Sequence, residues 1–171
     1  MPKFPRLSAV LLLTTAPASP AAALCLYKGV DNATTTLSQE FRDSRWVVRA
    51  RVLSAFDGVV EAGSPDAGMR FTVYRLAVVR AYKGRPAPRL TFFTQRNSGG
   101  FYMDRPWRRL PGGHDVGGEY LLFLNPDQPY SGRPAAARNS VFVNYSCGQS
   151  RLWREVRPPA RRRLAELGRG H

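Results

Sequence analysis

The two histidines are the side chains best suited to acid–base chemistry near neutral pH. His114 lies beside Asp115 in the segment PGGHDVGG, and His171 is the last residue of the sequence. Adjacent residues rarely orient one another as the members of a catalytic triad do, and the sequence contains no G-x-S-x-G nucleophile motif. We therefore predict that His114 is a loop residue and that the protein is not an enzyme.

The residues that could bind a metal ion are few and badly spaced. A structural zinc site needs four Cys or His ligands, whereas this chain has two histidines and two cysteines that are expected to form a disulfide with each other. Asp66, Asp104, Asp115 and Asp127 fall in predicted loops and lack the spacing of a calcium-binding EF-hand. Glu119 opens a predicted strand and is expected to face solvent rather than act as a general acid. The sequence predicts no metal and no cofactor.

A basic break in the segment VVRAYKGRPAPRLTFF, residues 78–93, raises the question of a phosphate site at Lys83 and Gly84. A P-loop needs several glycines and a Gly-Lys-Ser/Thr ending that opens a helix. Here the lysine precedes a single glycine, and Pro86 and Pro88 remove backbone donors. We interpret the break as a turn between two strands.

The connection RNSGGFYMDRPWRRLPGGHDVGG, residues 96–118, is the strongest candidate for a binding site. Unstructured loops longer than about 15 residues are uncommon and are often functional. Aromatic and arginine residues are enriched at binding hot spots, and they also hold single-stranded nucleic acids on small barrels. The predicted binding residues are Phe101, Tyr102, Trp107, Arg108 and Arg109. The alternative is a loop that packs its aromatic residues over one end of the domain.

The chain is strongly basic, with a formal net charge of +14, which favours acidic partners. Arg161, Arg162 and Arg163 form a second basic cluster near the C-terminus. This cluster is either a solvated helix face or a site for anionic lipid headgroups, polysaccharide or nucleic acid. A hydrophobic content of 43% argues against a disordered chain.

Residues 1–23 have the features of a secretory signal. Lys3 and Arg6 form a basic region, and residues 7–15 form an apolar segment too short to span a bilayer. Ala21 to Ala23 offer an A-x-A cleavage site. No later segment has the ~18 continuous apolar residues of a membrane helix. We therefore expect a secreted or periplasmic protein with no integral membrane segment after the signal is removed.

The only cysteines, Cys25 and Cys147, both follow the predicted signal. An isolated pair in an oxidising compartment is expected to form one disulfide, which would tie the start of the mature chain to the far end of the domain. The rival interpretation is lipidation of Cys25. Leu24 argues against lipidation, because lipoprotein signals have a small residue directly before the cysteine.

The pattern of apolar residues predicts one early helix and five strands. Thr36 and Gln39 have the spacing of a capping box before a helix at residues 37–43. Alternation of apolar residues with Arg49 and Arg51 predicts a half-buried strand with its arginines outward. The predicted strands are residues 45–56, 71–82, 89–95, 119–124 and 141–146, with a loop at 57–69.

The tail PPARRRLAELG, residues 158–168, predicts a second helix with Gly168 as its C-cap. Five strands with two short flanking helices predict a mainly β fold, most simply a five-stranded OB-fold-like barrel, that is, an oligonucleotide/oligosaccharide-binding barrel. We place the barrel domain at residues 24–156 and a basic C-terminal helix or tail at residues 157–171.

Several motifs occur in the order of a known family. They are a cysteine after a signal, a short helix, an R-W-V-V-x-A-x-V strand, a strand ending A-Y-K-G, the run G-G-E-Y-L-L-F-L, and S-C-G followed by W-R-E-V. This order resembles the netrin-like modules related to the tissue inhibitors of metalloproteinases (TIMP), in their short bacterial form, over residues 25–156. The resemblance implies an OB-like barrel with flanking helices.

The resemblance also implies metalloproteinase inhibition as one activity. In that family the first mature residue is a cysteine whose amino group and carbonyl bind the catalytic zinc of the protease, and only Cys25 can match it. The match requires cleavage after Leu24, whereas the favoured site after Ala23 leaves Leu24 at the N-terminus. The segment Cys25-Leu26-Tyr27 has one cysteine where the family typically has C-x-C.

These features together predict an exported, non-catalytic binding module whose partner is another protein or an acidic polymer. One alternative is a metalloproteinase inhibitor. The other is a module that binds an anionic polymer, namely polysaccharide, lipid headgroups or nucleic acid, through its basic surface. Partner identity, oligomeric state and the signal cleavage site stay open.

Overall fold

The computed structural model describes residues 25–61, 63, 67–96, 98–105, 113–126 and 134–170. The predicted signal segment lies outside the described residues, as do Trp107, Arg108 and Arg109 of the predicted binding site. Within the described part of the chain, no helix has the length and apolar character needed to cross a membrane.

Eight strands, two α-helices and two short 3-10 helices make up the described chain. In order they are β1 (Leu26–Tyr27), β2 (Val30–Asp31), α1 (Leu37–Asp43), β3 (Trp46–Val59), β4 (Arg70–Lys83), β5 (Arg89–Gln95), β6 (Glu119–Pro126), a 3-10 helix (Ala135–Ala137), β7 (Val141–Val143), β8 (Arg151–Leu152), a 3-10 helix (Trp153–Glu155) and α2 (Pro158–Arg169).

Five of these strands close into a barrel. The order around it is β3-β4-β5-β7-β6, and β6 pairs back onto β3. All pairings are antiparallel except the one between β5 and β7, where Phe92 faces Val141. This arrangement confirms the predicted mainly β fold, a five-stranded OB-fold-like barrel with two short flanking helices.

The alternating pattern of β3 separates the inside of the barrel from its outside. Val48, Ala50 and Val52 point into the core, while Arg51 on the other face is exposed. The core is completed by residues of the other strands, chiefly Tyr74, Leu76, Phe92, Tyr120, Leu122, Leu124 and Val143. Val47 is buried although it faces outward, because α1 and α2 cover that part of the sheet with Phe41 and Leu164.

Helix α1 begins as the sequence predicts. The side chain of Thr36 accepts a hydrogen bond from the backbone of Gln39, and the Gln39 side chain accepts one from the backbone of Thr36. This reciprocal capping box satisfies donors that the first helical turn leaves open.

Helix α2 is longer than predicted, and Gly168 lies within it rather than at its C-cap, which is Gly170. The position needs glycine for another reason. A Cβ atom at residue 168 would lie 2.7 Å from the carbonyl oxygen of Tyr82 on β4. The glycine therefore lets α2 approach the backbone of the sheet.

The β3–β4 hairpin is also longer than predicted. Residues 57–59, expected to be in a loop, continue β3 and pair with Arg70, Phe71 and Thr72. Gly58 was expected to be part of the loop. In the structure it lies in β3, and its lack of a side chain leaves room for the Phe71 ring. The last predicted strand is shorter than expected, because it ends at Val143 before the chain turns toward Cys147.

Candidate functional site

His114 joins the long connection after β5 to the β3–β4 hairpin. Its Nδ1 atom lies 3.0 Å from Oδ1 of Asp104, and its Nε2 atom lies 3.1 Å from Oδ2 of Asp57. Asp104 and His114 also form an antiparallel β-bridge, so the connection has backbone pairing of its own. Because both ring nitrogens face carboxylates, neither is free in this arrangement to take a proton from a substrate.

The acidic neighbour named from sequence, Asp115, is not the partner of His114. Its Oδ2 atom accepts a hydrogen bond of 2.9 Å from the hydroxyl of Tyr120. His114 therefore does not form the pair with Asp115 that was considered from sequence. It contacts Asp104 and Asp57, which lie 10 and 57 positions away in the chain.

Arg96 binds the same carboxylates from the end of β5. Its Nη1 atom lies 2.5 Å from Oδ2 of Asp104, and its Nε atom donates to the hydroxyl of Thr72 at 2.5 Å. Burial raises the pKa of Asp104, but hydrogen bonds from Arg96, His114 and Tyr74 outweigh it and hold that pKa below its usual value. We call this group the polar cluster; it consists of Asp57, Thr72, Tyr74, Arg96, Asp104 and His114.

Exposed apolar side chains lie close in sequence to the polar cluster, at the same end of the barrel. Phe56 is 58% exposed and Val59 is 56% exposed on the hairpin, and Val116 on the long connection is 48% exposed. The Phe56 ring rests against the buried ring of Phe71, with centroids 6.3 Å apart. We call this region, the polar cluster with Phe56, Val59 and Val116, the hairpin end of the barrel.

Two predicted binding residues lie at this end and are partly engaged in packing. The Phe101 ring meets the rings of Phe92 and Tyr120 edge-on, at 6.4 and 6.3 Å between centroids. The Tyr102 hydroxyl donates to the carbonyl of Gln95 at 2.9 Å, and the guanidinium of Arg96 lies 4.8 Å from the centre of its ring. Their part in binding stays a prediction.

A second surface lies on the outer side of β3 and β4, beside α2. The guanidinium carbons of Arg49 and Arg161 each lie 4.7 Å from the centre of the Trp153 ring. Tyr82 stacks on Trp153 at 6.3 Å, and the guanidinium of Arg80 lies 5.0 Å from the Tyr82 ring. We call this surface the arginine–tryptophan face; it consists of Arg49, Arg51, Arg80, Tyr82, Glu119, Trp153 and Arg161.

Glu119 belongs to this face, and the prediction that it faces solvent is wrong. Its side chain is only 17% exposed, because Arg49 and Arg51 reach across from β3 and bind it. Nε of Arg49 donates to one carboxylate oxygen at 2.6 Å, and Nη2 of Arg51 donates to the other at 2.7 Å. Hydrogen bonds from Arg51 and then Arg49 hold the pKa of Glu119 low, against the opposing effect of burial.

Lys83 and Gly84 form a turn between β4 and β5, as predicted. Nζ of Lys83 donates to the backbone carbonyls of Phe41 and Arg42 at the end of α1, at 2.7 and 2.8 Å. Gly84 has a φ of +72°, a conformation that favours glycine. An open cleft of about 1000 Å³ lies beside this turn, and its walls include Arg45 and Asn125.

Cys25 and Cys147 form the predicted disulfide, with Cα atoms 6.0 Å apart. It joins the residue before β1 to the segment after β7. A disulfide of this kind is typical of proteins in an oxidising compartment.

Within the described ranges, no group of three or more His, Cys, Asp or Glu side chains is arranged to hold a metal ion. In the polar cluster, the Arg96 guanidinium supplies the positive charge beside Asp57 and Asp104.

The residues of the polar cluster could not be grouped from sequence. Asp57 was expected in a loop, Arg96 marked only the start of the long connection, and Asp104 was one of several loop carboxylates. No spacing signal links them, because the barrel brings them together from three separate segments. Comparison with known proteins identifies no relative: no protein-family model matches the chain, and no curated protein matches it either.

Proposed function

We propose that this protein is an exported, non-catalytic binding module that engages a protein partner with the hairpin end of its barrel. The observation that carries the proposal is the polar cluster, which holds the long connection against a hairpin that also carries exposed apolar side chains. His114 contributes by binding Asp57 and Asp104 at once.

A surface fixed before binding loses less conformational entropy when a partner docks. Arg96 supports this fixation, because it bonds Asp104 of the connection and Thr72 of β4. Phe56 is held against Phe71 while more than half of its surface stays open. Large apolar side chains in such positions are typical anchors at protein interfaces.

The engagement of His114 supports a binding role over a catalytic one. A general base needs a ring nitrogen within reach of the substrate proton. In the polar cluster both nitrogens of His114 are used to connect two segments of the protein. The disulfide favours export, and we propose a secreted or periplasmic location on that ground.

A pull-down from an extract of the cell envelope and culture medium tests the proposal. The bait is the mature protein, compared with the double variant Phe56→Ser, Val59→Ser and with the triple variant Trp107→Ala, Arg108→Ala, Arg109→Ala. The control is Val79→Ser, which changes an exposed apolar residue of β4 outside the hairpin end. We expect specific partners to be lost with the double variant and kept with the control; equal recovery by all baits contradicts the proposal.

The finer proposal is that the barrel is a netrin-like module of the TIMP type, which would make metalloproteinase inhibition the alternative function. A disulfide at the residue before β1 and a closed barrel with flanking helices support this proposal. The backbone nitrogen of Cys25, which would have to bind the protease zinc, lies 3.2 Å from the side-chain oxygen of Asn32.

N-terminal sequencing of the exported protein, followed by an assay against a zinc metalloproteinase, tests that alternative. A chain that begins at Cys25 and inhibits the protease supports it. A chain that begins at Leu24 and leaves the protease fully active excludes it.

A further inference from the structure

The Arg49–Arg80 pair of the arginine–tryptophan face is distant from the tip of the hairpin. Arg49 and Arg80 pair across β3 and β4 ten residues along the ladder from the Val59–Arg70 pair. At the rise of a β-strand this separation is about 30 Å. A ligand on this face would therefore contact a surface that the proposed protein partner does not use.

The arginine–tryptophan face carries more positive charge than its own carboxylate can neutralise. Its four arginines meet one glutamate, which leaves a net charge of +3. Glu119 is bound by Arg49 and Arg51. Among the described residues, no carboxylate contacts Arg80, and the Arg161 guanidinium donates to the backbone carbonyls of Val156 and Trp153 at 2.8 and 3.1 Å.

The two cross-strand partners Arg49 and Arg80 carry the same charge. Like charges directly opposite on neighbouring strands destabilise a sheet. Here both guanidinium groups are also kept near one aromatic pair, since Arg49 lies over Trp153 and Arg80 lies over Tyr82. Because Glu119 offsets the charge of Arg49, a bound anion beside Arg80 would relieve the repulsion that remains.

The contacts of Glu119 indicate which anion fits. Two guanidinium groups bind its two carboxylate oxygens, the geometry in which arginine recognises planar oxyanions most strongly. Arg80 and Arg161 offer the same donor type over the stacked Tyr82–Trp153 pair, with Arg80 over Tyr82 and Arg161 over Trp153. The face therefore binds one carboxylate of its own, that of Glu119, and the guanidinium groups of Arg80 and Arg161 could bind a second.

We propose that the arginine–tryptophan face binds a carboxylate-bearing polysaccharide, with one acidic group held by Arg80 and Arg161. A bilayer surface fits less well, because the face contains no exposed large apolar side chain that could enter lipid. Single-stranded nucleic acid fits less well, because guanidinium groups already lie over both aromatic rings on which bases would stack. The disulfide favours a compartment outside the cytoplasm, where acidic polysaccharides occur.

The test uses polygalacturonate as the probe and the mature protein in calorimetric titrations at low and high salt. Arg80→Gln and Arg161→Gln each remove one guanidinium group from the site, and Arg89→Gln removes the same charge from exposed β5 outside it. A charge-assisted hydrogen bond contributes enough for about tenfold in affinity. We expect each site variant to weaken binding about tenfold, with less than a twofold change for Arg89→Gln.

Arg161→Gln could disturb α2, because Arg161 donates hydrogen bonds to the backbone carbonyls of Val156 and Trp153. Arg80 bonds neither carbonyl, so Arg80→Gln tests the site without that effect. Equal weakening by all three variants overturns the proposal in favour of general charge attraction. Absence of binding to polygalacturonate, equal binding to neutral dextran, or tighter binding to single-stranded DNA or phosphatidylglycerol vesicles also overturns it. Phe56→Ser should leave this binding unchanged, so the test is independent of the proposed protein partner.

Discussion

The Nε2 atom of His114 lies 3.1 Å from Oδ2 of Asp57, so a residue of the long connection is fixed to the β3–β4 hairpin. The other ring nitrogen contacts Asp104. Replacing His114 with Phe keeps a ring of similar width but removes both polar contacts. We expect this variant to keep the barrel and to lose hydrogen-exchange protection in residues 98–105 and 113–118 first. Unchanged exchange there would show that the imidazole does not hold the connection.

The polar cluster should make stability sensitive to acid. The pKa values of Asp57 and Asp104 are lowered in the folded protein. Their contribution to the free energy of unfolding is therefore present above the ordinary carboxyl pKa of about 4 and is lost as the pH falls through the lowered values. Urea unfolding of Asp104→Asn between pH 2.5 and 7 should show a smaller acid-induced loss than the original protein. Identical slopes would contradict this assignment.

Glu40 should act in the opposite direction. Its side chain is fully buried; Oε1 accepts a 2.8 Å bond from the backbone of Gln149, and Oε2 has no hydrogen-bond partner among the residues that the structure describes. Burial raises the pKa of Glu40 in spite of hydrogen bonds that lower it. Its contribution to stability is then fully present below the unfolded pKa of about 4.3 and is lost as the pH rises through the folded value.

Glu40→Gln keeps the shape and the acceptor oxygen but cannot ionise. We expect its free energy of unfolding at neutral pH to equal or exceed that of the original protein, with a flatter pH profile. Chemical unfolding at several pH values measures both. A variant that is destabilised by several kcal/mol at every pH would show that the carboxylate itself is required.

Gly168→Ala should destabilise the protein although alanine favours helices by about 1 kcal/mol over glycine. The added Cβ would lie 2.7 Å from the carbonyl oxygen of Tyr82, so α2 must move away from β4. Overpacking of this kind costs about 1–3 kcal/mol. Gly170→Ala is the matched control, because its Cβ would meet nothing closer than 3.8 Å. Equal thermal unfolding temperatures for the two variants would contradict the close approach of α2 to the Tyr82 carbonyl.

Removing the disulfide should lower stability without changing the fold class. It closes a chain segment with a sequence separation of 122 residues. The entropy of so long a loop corresponds to a stabilisation of up to about 5 kcal/mol. We expect Cys25→Ser with Cys147→Ser to retain a β-type circular dichroism spectrum and to unfold at lower denaturant concentration. An unchanged midpoint would show that the bond adds nothing to stability.

The features that the sequence predicts are those with a local cause. The alternation of Val48, Ala50 and Val52 follows from the two-residue period of a strand, and the Thr36–Gln39 capping box follows from a fixed spacing. The polar cluster has no local cause, because Asp57 and Asp104 meet only after β3 and the long connection are folded. For the same reason Glu119 and Gly168 were misread: their environments come from Arg49, Arg51 and Tyr82 on other strands.

Site-specific photo-cross-linking tests the central claim most directly. A photoreactive phenylalanine analogue replaces Phe56 at the hairpin end or, as the control, Val79 on β4, and the exported protein is irradiated in intact cells. We expect position 56 to give a discrete protein adduct that position 79 does not give. The same adduct from both positions, or no protein adduct from position 56, would contradict a partner at the hairpin end.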